Sequence, residues 1–278
     1  MGKGRTDRRS RFRKRRHFAL AVVLVLMAAA GAGFAVTTSG YGGSSLPADG
    51  ESSTTDSADH TVRAEDPAAP TDAEYPPPLY FSGAGTWTYA EAPSGEVAGS
   101  AGTLLRYNVA VEDGLGLDAD EIGDSVRTIL SDPRSWTAGG GWRFEQVGRG
   151  TADFTVYLAS PEQRSVLCEH PGTSVSCRNG DAVVINSARW LTGVPHWDDT
   201  LETYREYVVN HEVGHRLGHA HEVCPDEGGP SPVMAQQTYR LAGCASNAWP
   251  YPDGETYLEG PAGEYGGPEL PPDQYDDR

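Results

Sequence analysis

Between His211 and His221 the chain reads His-Glu-Val-Gly-His-Arg-Leu-Gly-His-Ala-His, and this stretch restricts the fold more than any other. It contains H-E-x-x-H and extends it to H-E-x-x-H-x-x-G-x-x-H. At ordinary residue frequencies the short form arises by chance in roughly one chain in a hundred of this length, and the long form in about one in 10^5. The long form therefore carries the argument. On a helix, His211 and His215 lie one turn apart and can direct two ring nitrogens at one ion about 2.0–2.1 Å away. Glu212 follows roughly 100° further round, beside a metal-bound water and not on the metal. Zn2+ lowers the pKa of such a water towards neutral, and Glu212 can take its proton as the water attacks a carbonyl.

Two residues compete to be the third ligand. In a continuing helix His219 would share a face with His215 but lie one turn too far along. Gly218 can take the positive φ that ends a helix, letting the chain turn back and bring His221 to the ion from another direction. The expected metal ligands are thus His211, His215 and His221, with His219 a polar surface residue or a neighbour of the ligands. Buried, hydrogen-bonded histidines would be the plainer reading of the cluster, and a purely structural metal site the next. Three protein ligands leave a fourth position open, and Glu212 would have little purpose in a structural site.

The pattern around the motif is helical. Asp199 with Glu202 reads as a capping box, and Leu201, Tyr204, Val208, His211 and His215 recur every three or four residues on one face. Upstream, residues 103–111 read as a strand ending at the Asp113-Gly114 turn. Asp118 and Glu121 open a helix with Ile122, Val126, Ile129 and Leu130 as its apolar stripe. Residues 142–147, 153–158 and 182–186 read as further strands. Strand, helix, strands, helix is a small α+β pattern.

Charge divides the chain sharply. Nine of its 22 basic residues and one of its 39 acidic ones fall in the first 17 positions. The remainder holds 13 Arg, no Lys and 38 Asp or Glu, a formal net charge of -25. So acidic a body should repel nucleic acid, whose binding needs phosphate-neutralising cations. The basic cluster stands directly before Phe18–Val36, an uncharged apolar run. Nineteen such residues span a hydrocarbon core of roughly 30 Å at 1.5 Å per residue. The basic flank should stay cytoplasmic and send everything after Val36 outside. Residues 18–36 are expected to anchor the chain in the bacterial cytoplasmic membrane. Ala28, Ala30, Gly31 and Ala32 offer the alternative of a cleaved signal and a secreted product.

Residues 37–78 hold too few large apolar side chains to repay ordering and read as a disordered extracytoplasmic linker. The folded domain is expected over 79–249, after a basic tail over 1–17, and is followed by an acidic Pro/Gly-rich tail over 250–278. Cys168, Cys177, Cys224 and Cys244 suit an oxidising compartment. Of the three pairings, Cys168–Cys177 with Cys224–Cys244 closes short local loops and is the one expected. The cysteines do not form the two C-x2-4-C knuckles of a four-thiolate zinc site. No Gly-rich phosphate loop and no G-x-S-x-G elbow is present.

The long motif resembles that of metzincin metallopeptidases, whose signature includes a downstream methionine turn. Ser231-Pro232-Val233-Met234-Ala235 follows the third histidine, and Met234 matches that methionine. The resemblance implies a zincin-like α+β fold, with a mixed sheet, an active-site helix and Met234 as an apolar floor beneath the histidines. Some metzincins place a tyrosine ligand two residues after the methionine. This chain has Gln236 there, and Tyr239 is the nearest tyrosine. More narrowly, Tyr207–His219 with Cys224-Pro225 and Pro232–Thr238 resembles an exported actinobacterial family, domain of unknown function 3152, classed as zincin-like. It brings no established substrate. Three functions fit: a zinc peptidase acting on peptides or proteins outside the membrane, an amidase or endopeptidase acting on peptidoglycan peptides, and a non-enzymatic zinc-stabilised binding domain. The intact Glu212 favours an enzyme.

Overall fold

The computed structural model describes residues 78–266 and 270–277, which belong to one compact unit, Pro67–Arg278. The apolar segment 18–36 and nearly all of the linker lie outside the described residues, as do Gly267–Glu269 and Arg278. No helix among the described residues is long and apolar enough to cross a membrane.

The described domain is mixed α+β. Its strands are β1 (Trp87–Tyr89), β2 (Val97–Ala98), β3 (Thr103–Glu112), β4 (Trp142–Gln146), β5 (Phe154–Ala159), β6 (Cys177–Asn179) and β7 (Ala182–Asn186). Its helices are α1 (Ala119–Ser131), α2 (Pro161–Leu167), α3 (Ser187–Thr192) and α4 (Leu201–Arg216). The sheet order is β2-β4-β3-β5-β7-β6, with β1 also on β3. The inner pairs β4/β3, β3/β5 and β5/β7 are parallel, while β1, β2 and β6 attach antiparallel. β3 can serve three partners because it is long: Thr103–Tyr107 face β4, and Ala110–Glu112 face β1. Tyr107, Phe144 and Phe154 from its central strands pack ring to ring in the core.

The expected strands over 103–111, 142–147, 153–158 and 182–186 form within a residue at either end. Asp118 caps α1 by accepting from the amides of Asp120 and Glu121, and Ile122, Val126, Ile129 and Leu130 are buried. The cap of α4 differs from the Asp199/Glu202 expectation. Thr200 Oγ1 accepts from the Thr203 amide, while Asp199 Oδ1 accepts from the Thr200 amide and so braces the cap from one residue earlier. Two capping residues in succession make either register plausible from sequence. Both expected disulfides, Cys168–Cys177 and Cys224–Cys244, are present.

Beyond Trp249 the described chain has neither helix nor strand, yet it is fastened to the body. Glu222 accepts from Tyr257 Oη and the Gly260 amide. The buried Arg189 pairs with Asp273, and the backbones of Leu79 and Asp276 meet. Leu270 packs against the core.

Candidate metal centre

Helix α4 packs on β6 and β7 and against α1 and α3, and carries His211, Glu212 and His215. Its far side is held by Asn210, which accepts from Ser135 Oγ through its side chain and from Trp136 Nε1 through its carbonyl, and donates to Ala248 O. Gly214 faces Met234 and Trp136. A Cβ there would stand 2.6 Å from Trp136 Cζ2 and closer still to Met234 Sδ. Glycine at this position of the motif is therefore a packing requirement.

The helix ends at Arg216, and Gly218 takes φ 100°. The chain turns back as its spacing implied, and His221 joins the other two. Among the described residues His211, His215 and His221 form a group whose ligand atoms all lie within 4.8 Å of one another. His215 Nε2 and His221 Nε2 stand 3.0 Å apart. His219 lies elsewhere, its ring against Trp136 at 4.4 Å and Tyr257 at 5.4 Å.

Backbone carbonyls fix the tautomers of the two helical histidines. A carbonyl only accepts, so His211 Nδ1 must donate to Val233 O (2.8 Å) and His215 Nδ1 to His219 O (2.9 Å). Each then keeps the Nε2 lone pair for a ligand. Burial holds His211 well below the usual imidazole pKa and brings His215 down to about 4, so both are neutral near pH 7. Neutral imidazoles with convergent lone pairs suit a transition metal such as zinc. Glu212 adds to the fit. It is 5 % exposed, burial pushes its pKa up to about 8 against the opposing pull of Arg164 and Arg178, and its Oε2 finds no hydrogen-bond partner.

These groups floor a cleft of about 410 Å³. One wall is Val175–Arg178, and the other includes Gln236, Thr238 and Tyr239. The first wall is strapped by the Cys168–Cys177 disulfide and by buried Arg164, which donates to the carbonyls of His170, Gly172 and Ser176. The second is tied to α4: Tyr207 Oη donates to Ala235 O and accepts from the Gln237 amide, and Tyr204 Oη bonds Thr238. Pro232–Ala235 is a turn closed by the Ala235 amide on Pro232 O, with Met234 fully buried.

Several of these features have no sequence signal. The carbonyls of Val233 and His219 belong to residues whose side chains do not matter there. Arg164 lies in the two-turn helix α2 and Arg178 in the three-residue strand β6, elements too short to set up a readable period. The last segment, Tyr257–Tyr265, also escapes sequence reading, yet it braces the loop of the third histidine. The Gly263 amide donates to His221 O, the Val223 amide to Pro261 O and the Cys224 amide to Tyr265 Oη, while Glu264 Oε1 stands 3.4 Å from His221 Nδ1. Removing everything after Trp249 is expected to weaken metal binding by about 10- to 100-fold, the usual effect of losing groups that orient ligands. Zinc titration of the truncated and full chains would show it. Equal affinities would mean that His221 needs no such brace.

The fold and the cluster define an α+β domain with a three-histidine candidate metal centre, two of its histidines on α4 and the third on the loop that follows. The chain belongs to the family described as Protein of unknown function (DUF3152), whose model matches residues 75–252. Neither the curated proteins nor the solved structures provide a match.

Proposed function

We propose that the chain is an extracytoplasmic zinc-dependent hydrolase, a peptidase of metzincin type. The observation that carries this reading is the convergence of one ring nitrogen from each of three histidines beside buried Glu212 on the floor of an open cleft. His211, His215 and His221 would hold the zinc. When bound, zinc supplies Lewis acidity towards water and a substrate carbonyl. Glu212 accepts the proton of the attacking water and returns it to the leaving nitrogen. Burial raises the pKa of Glu212, and the charge of a bound zinc beside it would favour the ionised form that a proton acceptor needs. Val233 O and His219 O keep two ligands in the required tautomer. Met234, packed under α4 at Gly214, supports its assignment to a methionine turn, and Gln236 in place of a tyrosine leaves three histidines as the protein ligands. Two disulfides support export, as does the anchor expected at 18–36.

The test is turnover by the full-length chain on a diverse peptide library and, separately, on purified peptidoglycan, each with and without a chelator. Chelator-sensitive cleavage of library peptides is the expected result. Consumption of peptidoglycan alone would make the enzyme a cell-wall amidase or endopeptidase. No chelator-sensitive turnover on either would leave a zinc-stabilised binding domain.

A further inference from the structure

Among the described residues Arg178 is the sole Lys or Arg lining the cleft. It sits in the middle of β6, at the edge of the sheet. Neighbouring side chains on a strand point to opposite faces. Cys177 turns towards α2, to whose C-terminal cap Cys168 it is bonded. Arg178 therefore projects towards α4, where its Nη2 donates to His215 O at 3.1 Å.

It forms no ion pair, although its field reaches Glu212. Arg106, Arg127, Arg134, Arg189 and Arg216 each pair with a carboxylate. Among the described residues no carboxylate lies within ion-pairing distance of Arg178, although acids outnumber arginines 38 to 13 beyond the basic tail. Arg178 is exposed, so the cation faces the solvent of the cleft. A guanidinium carries five N–H donors in a planar fork that matches a carboxylate. One bond to His215 O leaves the fork largely unused. Among the described residues Glu212 is the sole carboxylate lining the cleft, and it is buried on the floor.

Resting on the peptidase reading, we propose that Arg178 is a specificity-determining residue, selecting peptides that carry a carboxylate close to the scissile bond. The acidic surface opposes such substrates at long range, but salt screens it beyond a Debye length of about 8–10 Å. Inside the cleft, with the metal taken up by the reacting group, attraction is then local to Arg178. The carboxylate can belong to an Asp or Glu side chain or to the peptide's own C-terminus, and both present the same planar pair of oxygens.

The probes are short peptides with an N-terminal hydroxamate to seat on the metal, titrated calorimetrically into the zinc-loaded full-length chain. One carries Glu with an amidated end, one Gln with a free C-terminal carboxylate, one Gln with an amidated end and one Lys with an amidated end. The wild type should bind at least one carboxylate probe about tenfold or more tighter than the Gln amide, in line with a charge-assisted hydrogen-bonded pair. The two carboxylate probes tell side chain from chain end. R178Q should erase that difference, R178K should restore part of it, and R178E should turn the preference to the Lys probe. A wild type without preference, or an R178Q variant that weakens every probe alike, would overturn the proposal and leave Arg178 as a brace for the end of α4. If no hydroxamate binds the zinc-loaded wild type, the peptidase reading itself falls.

Discussion

Glu212→Gln is expected to keep the fold and the metal but lower kcat by at least about 100-fold, with little change in KM. Glutamine matches the size of glutamate and can hydrogen-bond, but it cannot accept the proton of the attacking water. The fold should tolerate it, because burial already disfavours the charged carboxylate and a neutral amide relieves that penalty. The metal should stay, since the three ligand histidines are unchanged. Steady-state kinetics on whichever substrate the wild type consumes, with zinc content measured on the same samples, tests both halves. Equal rates would remove Glu212 from the mechanism. Lost zinc would show that the carboxylate supports the ligands instead.

The second large effect separates two neighbouring histidines. His221→Ala should weaken zinc binding by more than about 100-fold, beyond the 10- to 100-fold typical of groups that only orient ligands. His219→Ala should leave zinc binding nearly intact, because the bond that orients His215 comes from the His219 backbone carbonyl. Its cost should fall on stability instead. The ring packs at a tilt against both Trp136 and Tyr257, and such aromatic contacts contribute about 0.5–1.5 kcal/mol each. Competition against a chromophoric chelator measures the affinities, and denaturant unfolding measures the stability. Zinc lost from H219A and retained by H221A would reverse the assignment.

That choice was legible in the sequence because Gly218 sits where a helix must end for His221 to return. The stripe of α1, the face of α4 and the local disulfides were legible for a similar reason: each depends on side chains repeated or spaced to suit one conformation. The short strands β1, β2 and β6 were not, since two or three residues set up no period and owe their pairing to neighbours distant in sequence. Helix α2 was hidden in the approach to the cysteine loop, although Ser160 and Pro161 open it with an ordinary cap. The fastening of the Pro/Gly-rich end was hidden more deeply. Its attachments are largely backbone amides and carbonyls, with a few isolated side chains such as Glu222, Tyr265 and Asp273. A Pro/Gly-rich composition forbids helix and strand but does not forbid docking.

Zinc K-edge absorption spectroscopy on the full-length chain, combined with metal analysis, addresses the central claim most directly. About one zinc per chain with three imidazole nitrogens among its ligands is the result expected, falling to two imidazoles or to no bound zinc in H211A. Absence of stoichiometric zinc, a sulfur-ligated zinc, or a spectrum unchanged in H211A would contradict a metal centre built on His211, His215 and His221.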